Sequence, residues 1–297
     1  MRPGPPRGGE RRGEGAERAG PPRLDPGGAL PYQRAVDPAS TPEEQPRPRP
    51  VREVLLVYAL IAAGTLGLTR LRAIPALAEY VHLLVGGLFL FTALHLAGRE
   101  GPGGIRRFGI DLGGLLGPPP PEDADASPGP LGLFDLARTV RRGLPSALRE
   151  VGVAAGLCAV IFPPFAWGFH LWHGAAHPFR WNPPEDFASF AAAQLVVVGL
   201  PEEAFFRGFV QTRLGDAWPA TRRLLGAAVH PAALLLQAAL FALVHVVADP
   251  NPARLAVFFP GLVFGWLRGW RGGIGAAIVF HAASNVFSEL LFRGWLR

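Results

Sequence analysis

Glu202 and Glu203 stand side by side in the apolar run LVVVGLPEEAFFRGFVQTR, residues 195–213, with Arg207 one helical turn beyond. An acidic side chain at the centre of a membrane helix costs about 3 kcal/mol on insertion scales, so such residues face partners, a water-filled cavity or a chemical task. In a helix, residues four apart share a face and neighbours diverge by about 100°. Glu203 can therefore pair with Arg207, while Glu202 points elsewhere with no partner in its own helix. Two later apolar segments carry Phe241-Ala-Leu-Val-His245 and His281-Ala-Ala-Ser-Asn285. His281 and Asn285 share one face, and Phe241, one turn before His245, can wall a pocket beside it.

A carboxylate, two imidazoles and an amide meeting in a wet cavity form a hydrolytic set. Glu202 can act as general base on a water molecule that His245 orients or polarises. His281 and Asn285 can donate to the oxyanion of a tetrahedral intermediate. The same types, Glu202, His245 and His281, also suit a catalytic zinc with an open position, although no HExxH helix is present. Taken singly, each histidine is an ordinary hydrogen-bonded packing residue; the combination within the C-terminal half carries the chemistry. Glu203 and Arg207 read as a structural pair, Trp266-Leu267-Arg268 as an interfacial anchor, and His230, just before Pro231, as a helix cap or an interface residue rather than a catalytic one. Glu289 is given no role.

The elements that must position these residues are membrane helices. The chain has 297 residues, 49% of them hydrophobic, gathered in blocks of about 18 to 25 residues, the length that spans a bilayer. The expected fold is all-α, a polytopic membrane bundle of about seven transmembrane helices around a polar intramembrane cavity. The segments fall near 53–68, 80–97, 151–172, 187–213, 231–248, 255–270 and 274–292. Residues 1–50, rich in Arg, Gly, Pro and Glu, read as a disordered cytoplasmic tail. Residues 51–186 hold the first helices, with an arginine-rich cytoplasmic linker at about 98–149 that includes the Pro118–Pro121 run. Leu131–Leu148 has the spacing of an interfacial helix, and a kink is expected at Pro163 and Pro164. Trp167, Trp172 and Trp181 suit an aromatic belt. Residues 187–297 hold the candidate catalytic helices. Alternating spans place Glu202 in the cytoplasmic half and His245 near the outer end, roughly 10 Å or more apart in depth.

The net charge of +6 is carried by arginine and reads as topology and contact with the lipid bilayer. No basic, aromatic-interleaved module for nucleic acid is visible. The single cysteine, Cys158, excludes an intramolecular disulfide and a Cys-based zinc motif, and reads as a buried small residue.

The three motifs in this order, Glu202-Glu203-Ala-Phe-Phe-Arg207, Phe241-Ala-Leu-Val-His245 and His281-Ala-Ala-Ser-Asn285, resemble the EExxxR, FxxxH and HxxxN-like motifs of the CPBP family of intramembrane proteases. This is also called the CAAX-protease or Abi family. The glycine-rich stretch from Pro260-Gly261 to Gly275 resembles the approach to its third motif. The resemblance covers about Phe187 to Phe292. It implies an endopeptidase with Glu202 as catalytic glutamate, His245 helping to activate water, and His281 and Asn285 at the oxyanion site. The family has been described both as metalloprotease and as glutamic protease; Asn285 and the missing HExxH helix favour chemistry without a metal. A composition rich in Arg, Ala, Gly and Pro suits a high-GC bacterium and its inner membrane. Bacterial relatives imply a membrane-associated protein or peptide substrate, in bacteriocin maturation or in removal of C-terminal sorting signals, as by myxosortases. Two other classes compete: a non-catalytic immunity or partner protein of the same fold, and a proton-coupled transporter, since buried Glu and His also mark proton paths.

Overall fold

The computed structural model describes residues 50–101, 103–112 and 133–297. The expected tail and the Pro118–Pro121 run lie outside the described residues. Helix α1, Pro50–Arg70, opens with Glu53 and closes with Arg70, charges that complement the helix dipole. After two short turns comes α2, Val81–Gly98. Helix α3, Leu133–His173, holds Pro145, Pro163 and Pro164 within its length. From Leu133 on, the interfacial helix expected at 131–148 is therefore continuous with the third span. Carbonyls freed by proline inside a membrane helix can find other partners, so proline need not end it.

Helix α4 spans Phe187–Ala217. It is regular over Phe187–Ala193, Leu200–Glu203 and Gln211–Ala217, and wound as π-helix over Gln194–Gly199 and Ala204–Val210. A hairpin follows, β1 Arg222–Leu224 paired antiparallel with β2 Ala227–Val229. Helix α5, Pro231–Ala248, starts with Pro at its first position and the His230 side chain accepting from the Ala232 N–H at 3.2 Å. A 3₁₀ turn, Pro252–Val257, leads into α6, Phe258–Arg271, which stops at Gly272 with φ 73°. Helix α7, Gly275–Leu296, ends the chain.

Ion pairs fix which ends lie together. Arg213 of α4 meets Glu53 at the start of α1 at 3.3 Å and Glu100, just past α2, at 2.5 Å. Arg107 meets Asp216 at 2.6 Å and also pairs with Glu100. Arg268, in the last turn of α6, donates to the Arg107 carbonyl, and Arg271 meets Glu150 of α3 at 2.6 Å. One end of the bundle is thus rich in arginine. The C-terminus lies at the other end, where the Arg180 N–H, in the loop after α3, donates to Gly294 O.

Among the described residues, six helices are long and apolar enough to cross a membrane: those within Pro50–Ala73, Val81–Gly98, Ala137–His173, Phe187–Ala217, Pro231–Ala248 and Gly275–Leu296. The remaining expected segment is α6, which runs back toward the arginine-rich end. It has 14 residues, about 21 Å, and is too short to span a hydrocarbon core by itself. The expected count of about seven becomes six such helices plus this short return.

Two glycines permit close approaches between helices. A Cβ on Gly86 would stand 2.4 Å from Val197 O, so α2 meets the π-wound part of α4 backbone to side. A Cβ on Gly265 would stand 2.4 Å from Gln237 Nε2, so α6 closes on α5. Around these contacts Phe89, Phe205, Phe206, Phe209, Phe241, Phe264 and Phe280 form the buried centre. Cys158 is only half-buried.

Candidate active site

The site is built on α4, α5 and α7. Asp186 caps α4 by accepting from the Ser189 N–H at 3.2 Å. Hydrogen bonds from the Ser189 side chain, and then its backbone, hold the Asp186 carboxyl below the usual carboxylate range. Halfway along α4, between the two π segments, lie Glu202 and Glu203. A π turn carries about one extra residue, which rotates the faces beyond it relative to a regular helix.

Glu203 and Arg207 are fully buried and joined at 2.9 Å, Glu203 Oε1 to Arg207 Nη1. Arg207 Nη2 also donates to Gly261 O at 3.2 Å. Its guanidinium stands 4.2 Å from the Phe241 ring centroid and 4.8 Å from that of Phe264, so aromatic faces replace water around the cation. The pair expected from the four-residue spacing is therefore present, and it clamps α4 to α6.

Glu203 Oε1 accepts a second hydrogen bond, from His281 Nδ1 on α7 at 2.8 Å. That bond sets the ring: with Nδ1 protonated, Nε2 points at Glu202, 3.8 Å from Oε2. His245 is set in the same manner. Its Nδ1 donates to the Phe241 carbonyl at 2.7 Å, and its Nε2 faces the same Glu202 Oε2 at 3.8 Å. Glu202 Oε2 is buried and accepts no hydrogen bond from the described residues. A distance of 3.8 Å is too long for a direct hydrogen bond and suits a small molecule held between the groups.

His245, His281 and Asn285 line one side of a cavity of about 510 Å³. Apart from Ser284 and Ser288, its other walls are apolar, including Ile161, Phe162 and Phe165 of α3 and Val257, Phe259 and Val263 of the α6 region. Asn285 Nδ2 donates to Gln194 Oε1 at 2.9 Å, which leaves the second N–H of the amide for the cavity. Phe241 walls the same space, its ring edge-on to His245 at 4.6 Å.

Glu202, His245 and His281 thus come together, with Asn285 beside the two histidines on the cavity wall. One expectation needs correction. The separation of 10 Å or more in depth does not occur. Trp218 and His230 stack at 5.9 Å where α4 turns into α5. Glu202 lies sixteen residues before Trp218 and His245 fifteen after His230, nearly equal rises at about 1.5 Å per residue. Trp266-Leu267-Arg268, expected as an interfacial anchor, is also tied into the bundle. Trp266 Nε1 donates to Leu224 O at 2.9 Å, and Arg268 donates to the carbonyls of Arg207 and Arg107.

Three further polar residues were not singled out by sequence. Gln194 holds Asn285 across helices. Gln237, fully buried, donates to the Gly261 carbonyl at 3.0 Å, the same oxygen that Arg207 uses. His82 on α2 lies within electrostatic reach of Glu202. Gln237 carries a signal in retrospect, since it precedes Phe241 and His245 at four-residue steps; the other two carry none.

One carboxylate oxygen and two ring nitrogens facing each other are the donor types of a zinc site. Among the described residues, however, no three His, Cys, Asp or Glu side chains are set to hold a metal ion.

The fold is that of a multi-pass α-helical membrane protein. A scan against family models matches residues 184–287 to Type II CAAX prenyl endopeptidase Rce1-like, so the chain carries a domain of the CPBP, or CAAX, protease family. Comparison with curated proteins and with solved structures returned no match.

Proposed function

We propose that the protein is an intramembrane endopeptidase in which Glu202 activates water against a peptide bond of a membrane-associated protein. One observation carries this: a buried carboxylate oxygen without a hydrogen-bond partner among the described residues, 3.8 Å from each of two imidazole Nε2 atoms. A water between them donates one O–H to Glu202 Oε2 and the other to His245 Nε2, whose lone pair is free because Nδ1 carries the proton. The water oxygen attacks the scissile carbonyl carbon as its proton passes to Glu202. The free N–H of Asn285 donates to the oxyanion. His281 joins it only in the doubly protonated form, since its Nδ1–H is committed to Glu203. The C–N bond then breaks, the amine takes the proton back from Glu202, and the carboxylate is restored. Glu203 and Arg207 hold the frame and Phe241 positions His245, so none of the three needs to touch substrate.

The substrate is a protein segment that reaches the site through the apolar cavity, whose walls suit a membrane-embedded chain. The composition supports a bacterial inner membrane, and processing of C-terminal sorting signals is the substrate class proposed. The matched family's name points to prenylated CAAX peptides as the comparison. The test expresses the wild type and Glu202→Gln in a host lacking the gene and compares the termini of membrane proteins by mass spectrometry. Precursors that stay uncut only with the variant support the proposal; identical termini overturn it.

A further inference from the structure

The hairpin between α4 and α5 has the wrong residue at its tip for a solvated turn. Leu224 pairs with Ala227, so Leu225 and Gly226 are the two loop residues. Both have positive φ, 46° and 85°, the type I′ turn that favours Asn-Gly. A leucine held there is strained and is also 82% exposed, with Leu224 50% exposed. Arg222 and Arg223 lie just before the tip in β1, both exposed.

The tip is not loose. Trp266 Nε1 donates to the Leu224 carbonyl, Gly226 sits against the Trp270 ring, and the two tryptophan rings stack at 5.1 Å. A Cβ on Gly269 would meet Ala228 O at 2.9 Å, so the hairpin rests directly on α6. It joins the ends of two membrane helices at the arginine-rich end of the bundle, where the lipid headgroups must lie. Apolar tip, paired arginines and adjacent tryptophans are the chemistry of a membrane interface.

We infer that this hairpin is a lipid-binding element. Leu224 and Leu225 enter the boundary between headgroups and acyl chains, while Arg222 and Arg223 hold the phosphates of anionic phospholipid in that leaflet. This is independent of the proteolytic chemistry.

The test places a single environment-sensitive fluorophore at the tip, as Leu225→Cys in a Cys158→Ala background, with the protein in nanodiscs. Expected are blue-shifted emission, quenching by phospholipid spin-labelled near the headgroup, and protection from aqueous iodide. Adding phosphatidylglycerol to phosphatidylcholine deepens the shift, and Arg222→Gln with Arg223→Gln removes that gain. Quenching by iodide alone marks a solvated tip, and protection from both quenchers marks a protein contact; either overturns the inference. Leu225→Asn suits the turn better and should fold at least as well in detergent, yet lose the stabilisation that phosphatidylglycerol gives the native chain. An equal gain for both proteins also overturns it.

Discussion

The ring of Trp218 lies against that of His230, centroids 5.9 Å apart, where the chain turns from α4 into α5. This contact sets the register of the two helices, and through it Glu202 and His245 reach one depth. Trp218→Ala should loosen the register without removing any group from the site. Cleavage should fall several-fold while α-helical content, by circular dichroism, is unchanged. A full loss of helix would place Trp218 in folding rather than in alignment.

The buried pair of Glu203 and Arg207 makes a sharper prediction. Arg207→Met strands a carboxylate, and breaking a buried pair costs about 3–5 kcal/mol. Removing both charges, Glu203→Gln with Arg207→Met, should regain much of the lost thermal stability in detergent. It should not regain activity, because the ring of His281 then lacks its ionised partner. A double variant no more stable than Arg207→Met would show that the pair contributes little beyond its two shapes.

Adjacent glycines in α2 supply an internal control. Gly86→Ala drives a Cβ toward Val197 O at 2.4 Å, whereas Gly87→Ala meets nothing within 4 Å. Overpacking typically costs about 1–3 kcal/mol, so Gly86→Ala should lower the melting temperature and Gly87→Ala leave it alone. Equal melting temperatures would mean that α2 does not press on the π-wound segment.

Asn285 and Gln194 are linked by one hydrogen bond. If Asn285 supplies an oxyanion donor, Asn285→Ala should lower kcat about 100- to 1,000-fold with little change in KM. Gln194→Leu removes the acceptor that orients the amide and should lower kcat less. Gln194→Glu keeps an acceptor and should recover part of that loss. Gln194→Leu acting on KM alone would assign it to substrate binding instead.

How much of this was legible in the chain depends on how far apart the partners lie. The pairing of Glu203 with Arg207 and the freedom of Glu202 follow from four-residue spacing and needed no tertiary information. The bond between Glu203 and His281 did not, because it joins residues 78 positions apart. It also limits the role expected of His281, whose Nδ1–H is no longer available to an oxyanion. The π turns on either side of Glu202 were illegible because their apolar sequence fits a regular helix equally well. The depth of His245 was misjudged because a hairpin of two three-residue strands looks like a polar loop, and that hairpin lets α5 start level with the end of α4. The shortness of α6 was hidden by apolar residues that continue into the preceding 3₁₀ turn.

A water activated by carboxylate and imidazole needs no metal, so exhaustive dialysis against a chelator should leave cleavage intact. Loss of activity on dialysis and its return with added zinc would move His245 and His281 from water orientation to metal ligation.

The most direct measurement is the cleavage rate of Glu202→Gln beside the wild type, both reconstituted in nanodiscs with a precursor identified by the terminal comparison. Gln keeps the shape and loses the base. The predicted result is a rate below one hundredth of wild type, on the order of the effect of removing a general base, at an unchanged melting temperature. A variant that cleaves at the wild-type rate would contradict the central role given to Glu202.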